Sequence, residues 1–190
     1  MLTQAGVEED EDLFSGIWKS ARNRWGWLLI NVATALISTR IIGFYEDIIL
    51  QLVVLASLMP IVAAMGGNTG NQTSILIIRS LALGQITRTN VARLIRKELT
   101  LAILNGILIG IIIGLVSWIL YGDRMLSLVI GLAMFINLLV AVLVGLSIPL
   151  GRYKFGKDPA VGASIMLTAI TDSMGFFIVL ILAKMFLIGR

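Results

Sequence analysis

Hydrophobic residues run along this chain in long stretches, and charged residues interrupt them only at intervals. The uncharged stretches are residues 25–39, 41–45, 48–78, 99–122 and 125–151. Residues 159–183 contain a single charge, Asp172. A helix needs about 20 apolar residues to cross about 30 Å of hydrocarbon. The pattern predicts an all-α integral membrane protein with five spans, at approximately 25–45, 48–83, 91–121, 125–150 and 159–188.

The composition supports a membrane protein and removes several kinds of chemistry. The 190 residues are 58% hydrophobic and 14% charged, whereas soluble domains are about 45–50% apolar and about 25% charged. Histidine and cysteine are absent, which excludes Ser-His hydrolases, His- or Cys-ligated zinc and iron–sulfur clusters. A single carboxylate within the spans does not make an intramembrane enzyme. We therefore expect no enzyme and no catalytic residue. The net charge of +4 favours juxtamembrane basic residues over nucleic-acid binding.

The charges between the predicted spans indicate how the chain is oriented. Basic residues precede the first span and follow the second and fourth: Lys19, Arg22, Arg24, Arg88, Arg93, Arg96, Lys97, Arg152, Lys154 and Lys157. The other two loops contain Glu46 and Asp47, and Asp123 and Arg124. By the positive-inside rule, the N-terminus is expected in the cytosol and the C-terminus outside, in a multi-pass protein of the cytoplasmic (inner) membrane.

Residues 1–24 differ from the spans that follow at 25–190. Residues 8–12 form an acidic block, typical of a solvated segment. Residues 15–24 alternate apolar and basic side chains at roughly helical spacing, which predicts an amphipathic cytosolic helix that continues into the first span. This helix is either an interfacial anchor or a regulatory lever.

Asp172 is the clearest candidate for chemistry, because polar groups at membrane depth are costly and by default indicate function. Positions 164, 168, 171, 172 and 175 fall on one small, polar helical face. A carboxylate placed there is protonated, pairs with a base or holds a cation. The structural alternative is an ion pair with Arg79 or Lys184, although both lie nearer the predicted span ends.

A second polar motif, MGGNTGNQTS at residues 65–74, lies within 31 uncharged residues. Asn68, Asn71 and Gln72 share one helical face. Gly67 and the other glycines allow a backbone or a hydrated ion to approach closely, and Pro60 removes one helical hydrogen bond. The motif therefore predicts a bent or locally unwound span that lines a cavity. The alternative is a packing motif, which explains the glycines but not the amides.

Carboxylate, amide, hydroxyl and carbonyl oxygens are hard ligands that suit magnesium, calcium or manganese. Magnesium loses its water reluctantly and needs only one or two carboxylates. One Asp172 does not neutralise a divalent ion, but two facing each other across a two-fold axis do. A homodimer with its pore on that axis is therefore a physical expectation.

Glycines at four-residue intervals recur in the third predicted span, at Gly106, Gly110 and Gly114. Such a ridge indicates close helix packing. Asn105 and Asn137 either face the bundle or form hydrogen bonds across helices.

A polar stripe and a carboxylate complete the set of weaker signals. Asn31, Thr34 and Ser38 form one stripe on the first span. Glu98 follows two basic residues at the cytosolic edge, where a surface ion pair is expected rather than a role in transport.

Two segments resemble the MgtE family of magnesium channels. They are PIVAAMGGNTGNQTS at residues 60–74, followed by RSLALG at 79–84, and DPA at 158–160, followed by TAITDSMGF at 168–176. The resemblance covers essentially residues 7–190. It implies a homodimeric Mg²⁺ channel whose second and fifth spans line a central pore in the lipid bilayer.

The resemblance also implies roles for individual residues. Asp172 matches the family's pore carboxylate, which holds hydrated Mg²⁺, and Thr168 offers its main-chain carbonyl. Gly67 and Asn71 match positions that line the same site, to which the helical-face argument adds Asn68 and Gln72. We expect these six residues to hold the transported, pore-bound Mg²⁺. A channel or exchanger for Mn²⁺, Ca²⁺ or Co²⁺ is the alternative.

The family resemblance also implies cytosolic magnesium-sensing domains, an N-terminal domain and paired CBS domains, and we expect this sequence to contain at most the end of the latter. Residues 2–14 resemble the end of a CBS domain, and residues 15–24 resemble the end of the connecting plug helix. The sequence is expected to be a membrane domain or a shortened homologue. Its conduction is expected to lack strong closure at high cytosolic magnesium.

Overall fold

The computed structural model describes residues 16–87 and 89–188, and every regular element in these ranges is helical. The helices are α1 (Ile17–Phe44), α2 (Glu46–Gln51), α3 (Val54–Ala82), α4 (Val91–Tyr121), α5 (Arg124–Lys154) and α6 (Ala163–Ala183), and a π-helical segment (Lys184–Ile188) continues α6. The acidic block at residues 8–12 lies outside the described residues. The predicted all-α class is confirmed for the described ranges.

Four of the helices are long and apolar enough to cross a membrane: α1, α4, α5, and α6 with its π-helical continuation. The fifth long helix, α3, has 29 residues, a length of about 43 Å at about 1.5 Å per residue. Its length suffices for a span, but the amides and glycines at its centre lower its hydropathy.

The predicted second span, 48–83, differs from the structure at its start and centre. Residues 46–51 form the separate short helix α2, and α3 begins at Val54. From there α3 is unbroken through Pro60 and the glycine motif, so the expected local unwinding is wrong. Pro60 lies only in the second turn of α3, where it removes the hydrogen bond to the carbonyl of Ala56.

Helix α1 continues from Ile17 to Phe44 without a break, so the predicted amphipathic segment forms the start of the first long helix. The rings of Trp18 and Trp25 meet edge to face there, with centroids 5.5 Å apart. Of the side chains on α1, only that of Ser38 is buried. This helix therefore lies at the edge of the bundle, against α6.

Glycines set the distance between α4 and α5. A β-carbon added at Gly110 would lie 2.8 Å from the carbonyl oxygen of Gly131. One turn away on each side, Gly106 faces Phe135 and Gly114 faces Ser127. The packing predicted for this ridge is confirmed, and its register makes α4 and α5 antiparallel.

Close contacts also fix the directions of the other helices. Gly66 faces Asn137 and Gly70 faces Ala141, so α3 and α5 run parallel. Helix α6 runs antiparallel to α3, because Ala63 faces Gly175 and Gly70 faces Leu167. Helix α1 runs parallel to α6, as the contacts of Gly162 with Trp27 and of Ser38 with Ser173 show. Helices α3, α5 and α6 form the centre of the bundle, which α4 and α1 flank.

Candidate cation site

A polar groove of about 390 Å³ lies between α1 and α6. From α6 it is lined by Ser164, Thr168 and Asp172, three residues at intervals of four that form one row. The facing wall belongs to α1 and consists of its polar stripe, Asn31, Thr34 and Ser38, together with Ala35. The groove thus joins the carboxylate singled out in the sequence to an amide and several hydroxyls.

The walls of the groove are held together at the level of Ser38. The hydroxyls of Ser38 and Ser173 share a hydrogen bond of 2.8 Å between the two helices. Ser38 also donates to the carbonyl of Thr34, at 3.3 Å. The α1 hydroxyls are therefore placed by local helical geometry and by one contact between helices.

Asp172 is partly buried and has neither an ion pair nor a side-chain hydrogen bond among residues 16–87 and 89–188. The alternative that it pairs with Arg79 or Lys184 is therefore wrong for this structure. No cluster of three or more acidic, histidine or cysteine side chains exists in these ranges. Asp172 thus brings a single carboxylate into the groove.

The size of the groove admits a hydrated ion. Six waters at about 30 Å³ each occupy about 180 Å³, less than half of the groove's volume of about 390 Å³. The groove volume therefore exceeds that of a shell of six waters.

The predicted polar face of α6 is divided between two sides of the helix. Thr171 is fully buried, and its hydroxyl donates to the carbonyls of Leu167 at 3.0 Å and Thr168 at 3.2 Å. Gly175 packs against Ala63 and Asn137. Neither Thr171 nor Gly175 lines the groove. The carbonyl expected to serve an ion, that of Thr168, thus accepts a hydrogen bond from Thr171.

The glycines of the α3 motif serve helix packing. A β-carbon at Gly70 would lie 2.9 Å from Leu167 and 3.0 Å from the carbonyl of Ala141. Gly67 is buried, but a β-carbon there would make only an ordinary contact, 3.7 Å from the hydroxyl of Thr171. Packing therefore accounts for Gly70 but does not require a glycine at position 67.

The amides of the same motif are not explained by packing. Asn68 and Gln72 are exposed on the chain's surface, and Asn71 is partly buried. None of the three side chains has a hydrogen bond with any part of the chain that the structure describes. None of them lines the groove beside Asp172.

The helical register nevertheless puts the amides at the depth of the groove. Because α3 and α6 are antiparallel and Gly67 faces Thr171, Asn68 lies at the level of Ile170, about 3 Å along the helix axis from Asp172. Gly70 faces Leu167, so Asn71 lies at the level of Met166, about 3 Å from Thr168. The two amides therefore lie within the depth of the groove, which extends from Ser164 to Asp172, although they do not line it.

Asn137 joins the three central helices. It is fully buried on α5, and its Nδ2 donates to the carbonyl of Val62 on α3 at 2.7 Å. Gly66 and Gly175 leave the space that its side chain fills. Asn105, by contrast, is exposed on α4 without a hydrogen-bond partner among the described residues. Of the two amides, only Asn137 forms the bond across helices.

The surface ion pair expected for Glu98 does not form among the described residues. The residue is only 6% exposed, and its Oε1 has no hydrogen-bond partner in the described chain. Its neighbours Arg96 and Lys97 are exposed, so the expected surface ion pair is absent from this part of the structure. The spacing of charges along the sequence did not indicate this burial.

The groove includes residues that were not among the predicted ligands. Ser164 was placed on the polar face of α6, and Asn31, Thr34 and Ser38 were identified as a stripe. In the sequence, only the helical periodicity of the two polar stripes indicated these residues. What the sequence lacked was the pairing of α1 with α6.

Comparison with known proteins identifies the family. A family profile described as "MgtE: Divalent cation transporter" matches residues 59–182, which include all of α4 and α5 and most of α3 and α6. The chain is 32% identical over 168 residues to the magnesium transporter MgtE of Bacillus subtilis, a match that covers 88% of this chain and 37% of that protein.

Two further relatives are similar to this chain to the same degree. The magnesium transporter MgtE of Thermus thermophilus is 30% identical over 85% of this chain, and that of Enterococcus faecalis is 30% identical over 96%. The matched regions span 36% and 40% of these relatives' lengths. The profile match and these similarities agree, and the chain belongs to the MgtE family of divalent cation transporters.

Proposed function

We propose that this chain transports Mg²⁺ across a cytoplasmic membrane through a channel in a homodimer. The observation that carries the proposal is the Asp172 carboxylate, which has no partner among the described residues and lies in a polar groove of about 390 Å³. A carboxylate at membrane depth without a basic partner is costly unless it meets water or a cation. The names of the family and of the three relatives support the same chemistry.

Five crossings by α1, α3, α4, α5 and α6 are consistent with the packing directions. Helices α1, α4 and α6 run one way and α3 and α5 run the other way, as single alternating crossings require. The C-terminal ends of α3 and α5 and the start of α4 then lie on the side of the N-terminus. The start of α1, the start of α4, the end of α5 and the connecting segments carry ten of the 15 basic residues: Lys19, Arg22, Arg24, Arg88, Arg93, Arg96, Lys97, Arg152, Lys154 and Lys157. The positive-inside rule assigns that side to the cytosol.

The exposed amides of α3 support a second copy of the chain. Asn68 and Gln72 lie at the middle of a helix 29 residues long, where contact with lipid would leave them without hydrogen bonds. A partner subunit across a water-filled pore satisfies them. The partner also brings a second Asp172, so that two carboxylates balance the charge of one divalent ion.

In this proposal the residues act on a hydrated ion. The Asp172 carboxylate attracts the cation and accepts hydrogen bonds from its water shell. Thr168 lines the groove with Asp172. Gly67, Asn68, Asn71 and Gln72 lie outside that groove, and the proposal brings them to the water shell only in the assembled dimer. Because they contact waters, the ion need not pay the full cost of dehydration, and binding stays weak enough for the ion to leave.

Transport itself is tested by Mg²⁺ uptake into proteoliposomes that contain the purified chain, with protein-free liposomes as the control. We expect saturable uptake that an excess of Ca²⁺ does not abolish. Uptake no faster than in protein-free liposomes would contradict transport. Uptake that Mn²⁺, Co²⁺ or Ca²⁺ suppresses at concentrations well below that of Mg²⁺ would assign the pore to that ion instead.

The dimer is tested by cysteine crosslinking, because the natural sequence contains no cysteine. Gln72→Cys is expected to form a crosslinked dimer with a short bifunctional reagent in the membrane. Leu108→Cys is the matched control, since Leu108 is 58% exposed on the outer side of α4. Equal crosslinking of the two variants would contradict an interface at α3.

A further inference from the structure

A second polar cavity, of about 320 Å³, lies at the C-terminal end of α3, where the chain turns into α4. Its charged walls are Arg93 and Lys97, one turn apart on α4, and its polar walls include Gln85 and Asn90. The apolar side chains of Ile86 and Leu94 complete the lining. The cavity is separate from the groove beside Asp172.

The cavity has the charge of an anion site. Among residues 16–87 and 89–188 no carboxylate lines it, and neither Arg93 nor Lys97 has an ion pair there. Like charges four residues apart on a helix repel each other. An anion bound between the two side chains removes that repulsion, and it offers oxygens to both donors.

Hydrogen bonds shape the wall of this cavity in advance. Asn90 Oδ1 accepts from the backbone N–H of Thr87 at 2.9 Å, and its Nδ2 donates to the carbonyl of Gln85 at 2.7 Å. The N–H of Gln85 donates to the carbonyl of Ser80 at 2.9 Å. Because three hydrogen bonds already hold this turn, less conformational entropy is lost when a ligand binds.

The apolar residues indicate where the anion comes from. Ile86 and Leu94 pack against a buried cluster that includes Ile77, Leu81 and Ala102. The cavity therefore opens where the apolar bundle ends and basic side chains begin. This is the depth of phospholipid headgroups, whose phosphates attract juxtamembrane Lys and Arg.

We propose that this cavity binds the phosphate group of an anionic phospholipid. Arg93 and Lys97 bind the phosphate oxygens, and Ile86 and Leu94 contact the start of the lipid's apolar part. The proposal depends on this end of the bundle lying at the membrane surface. It is independent of which ion crosses the membrane and of Asp172.

Native mass spectrometry of the full chain in detergent tests the site, with phosphatidylglycerol as the probe and phosphatidylcholine as the zwitterionic comparison. We expect the chain to retain phosphatidylglycerol preferentially. Arg93→Gln and Lys97→Gln should each weaken its binding about fivefold, and the double variant about twenty-five-fold. Arg96→Gln is the matched control, because Arg96 is exposed on the same turn but does not line the cavity.

Other outcomes would overturn the assignment. An equal loss with Arg96→Gln would show diffuse attraction by the basic surface, and unchanged binding by the double variant would exclude the cavity. Displacement of phosphatidylglycerol by millimolar inorganic phosphate would assign the cavity to a free phosphate. Lys97→Arg retains the charge and should bind like the natural chain, and circular dichroism of each variant checks that it is folded.

Discussion

Two helices of this bundle share the same glycine spacing but carry different side chains on their outer sides. On α4, Gly106 and Gly110 let α5 approach closely, and the outer side is mostly Ile and Leu. On α3, Gly66 and Gly70 do the same against α5 and α6, but the outer side carries Asn68 and Gln72. The glycines thus report packing in both helices, and only the amides distinguish a helix that faces lipid from one proposed to face a pore.

The comparison separates stability from function. If the glycines of both helices serve packing, then adding a methyl group to either should destabilise the bundle. If the amides of α3 serve an ion, then replacing them should change uptake but leave the fold intact. The equivalent change on the outer side of α4 should alter neither property.

The largest expected effect on stability comes from Gly145→Ala, at the contact between α5 and α3. The new β-carbon would lie 2.5 Å from the carbonyl oxygen of Gly70, so the backbones must move apart. We expect a loss of about 1–3 kcal/mol in the free energy of unfolding, with a similar loss for Gly110→Ala. Thermal unfolding in detergent measures both variants.

The control for that prediction is Gly26→Ala on α1. No atom lies within 4 Å of the added β-carbon there, and alanine favours a helix over glycine by about 1 kcal/mol. We expect an unchanged or slightly raised melting temperature. A loss comparable to that of Gly145→Ala would mean that the close contacts do not determine stability.

The functional side of the comparison is tested by replacing both Asn68 and Gln72 with leucine. Each amide is expected to contribute about 1 kcal/mol to the passage of the ion, so the uptake rate should fall about thirtyfold. The melting temperature should stay the same or rise, since neither side chain has a partner in the described chain. Proteoliposome uptake and thermal unfolding give the two readouts.

The matching change on α4 is Leu104→Ala with Leu108→Ala, two side chains 59% and 58% exposed. Uptake should be unchanged, because these residues face away from the bundle. If this variant lost as much uptake as the α3 variant, the amides would have no specific role.

The sequence predicts features that depend on a single helix better than features that depend on contacts between helices. Local periodicity predicted the helices, the glycine ridge of α4 and the row of Thr168 and Asp172, because each depends on one helix. It failed where a neighbouring helix decides the outcome. Packing against α3 took Thr171 away from the groove, and Glu98 is buried although its position in the sequence indicated the surface.

Two further differences have physical causes of the same kind. The unwinding expected at the α3 motif does not occur, since close packing of Gly66 and Gly70 against the neighbouring helices stabilises the helix there. The groove on the α1 side could not be predicted, because two polar stripes with the same periodicity do not reveal that they face each other. The six ligand residues remain a prediction.

The smallest expected effect is that of Asn137→Leu. This change removes the hydrogen bond to the carbonyl of Val62, but it also removes a buried Oδ1 that has no partner in the described chain. Hydrogen bonds between membrane helices contribute about 0.6 kcal/mol on average, so we expect a loss of about that size in thermal unfolding. Asn105→Leu is the control and should cause no loss, since Asn105 is exposed and unpartnered among described residues.

The central claim is that the Asp172 carboxylate binds the transported cation. It is tested most directly by Mg²⁺ uptake of two Asp→Asn variants. Asp123→Asn is the matched control. It makes the same charge change, and asparagine keeps the oxygen that accepts from Met125 N at 2.8 Å and Leu126 N at 3.1 Å. We predict that Asp172→Asn loses most of its uptake while Asp123→Asn keeps it. Equal uptake by Asp172→Asn and the natural chain would contradict the account.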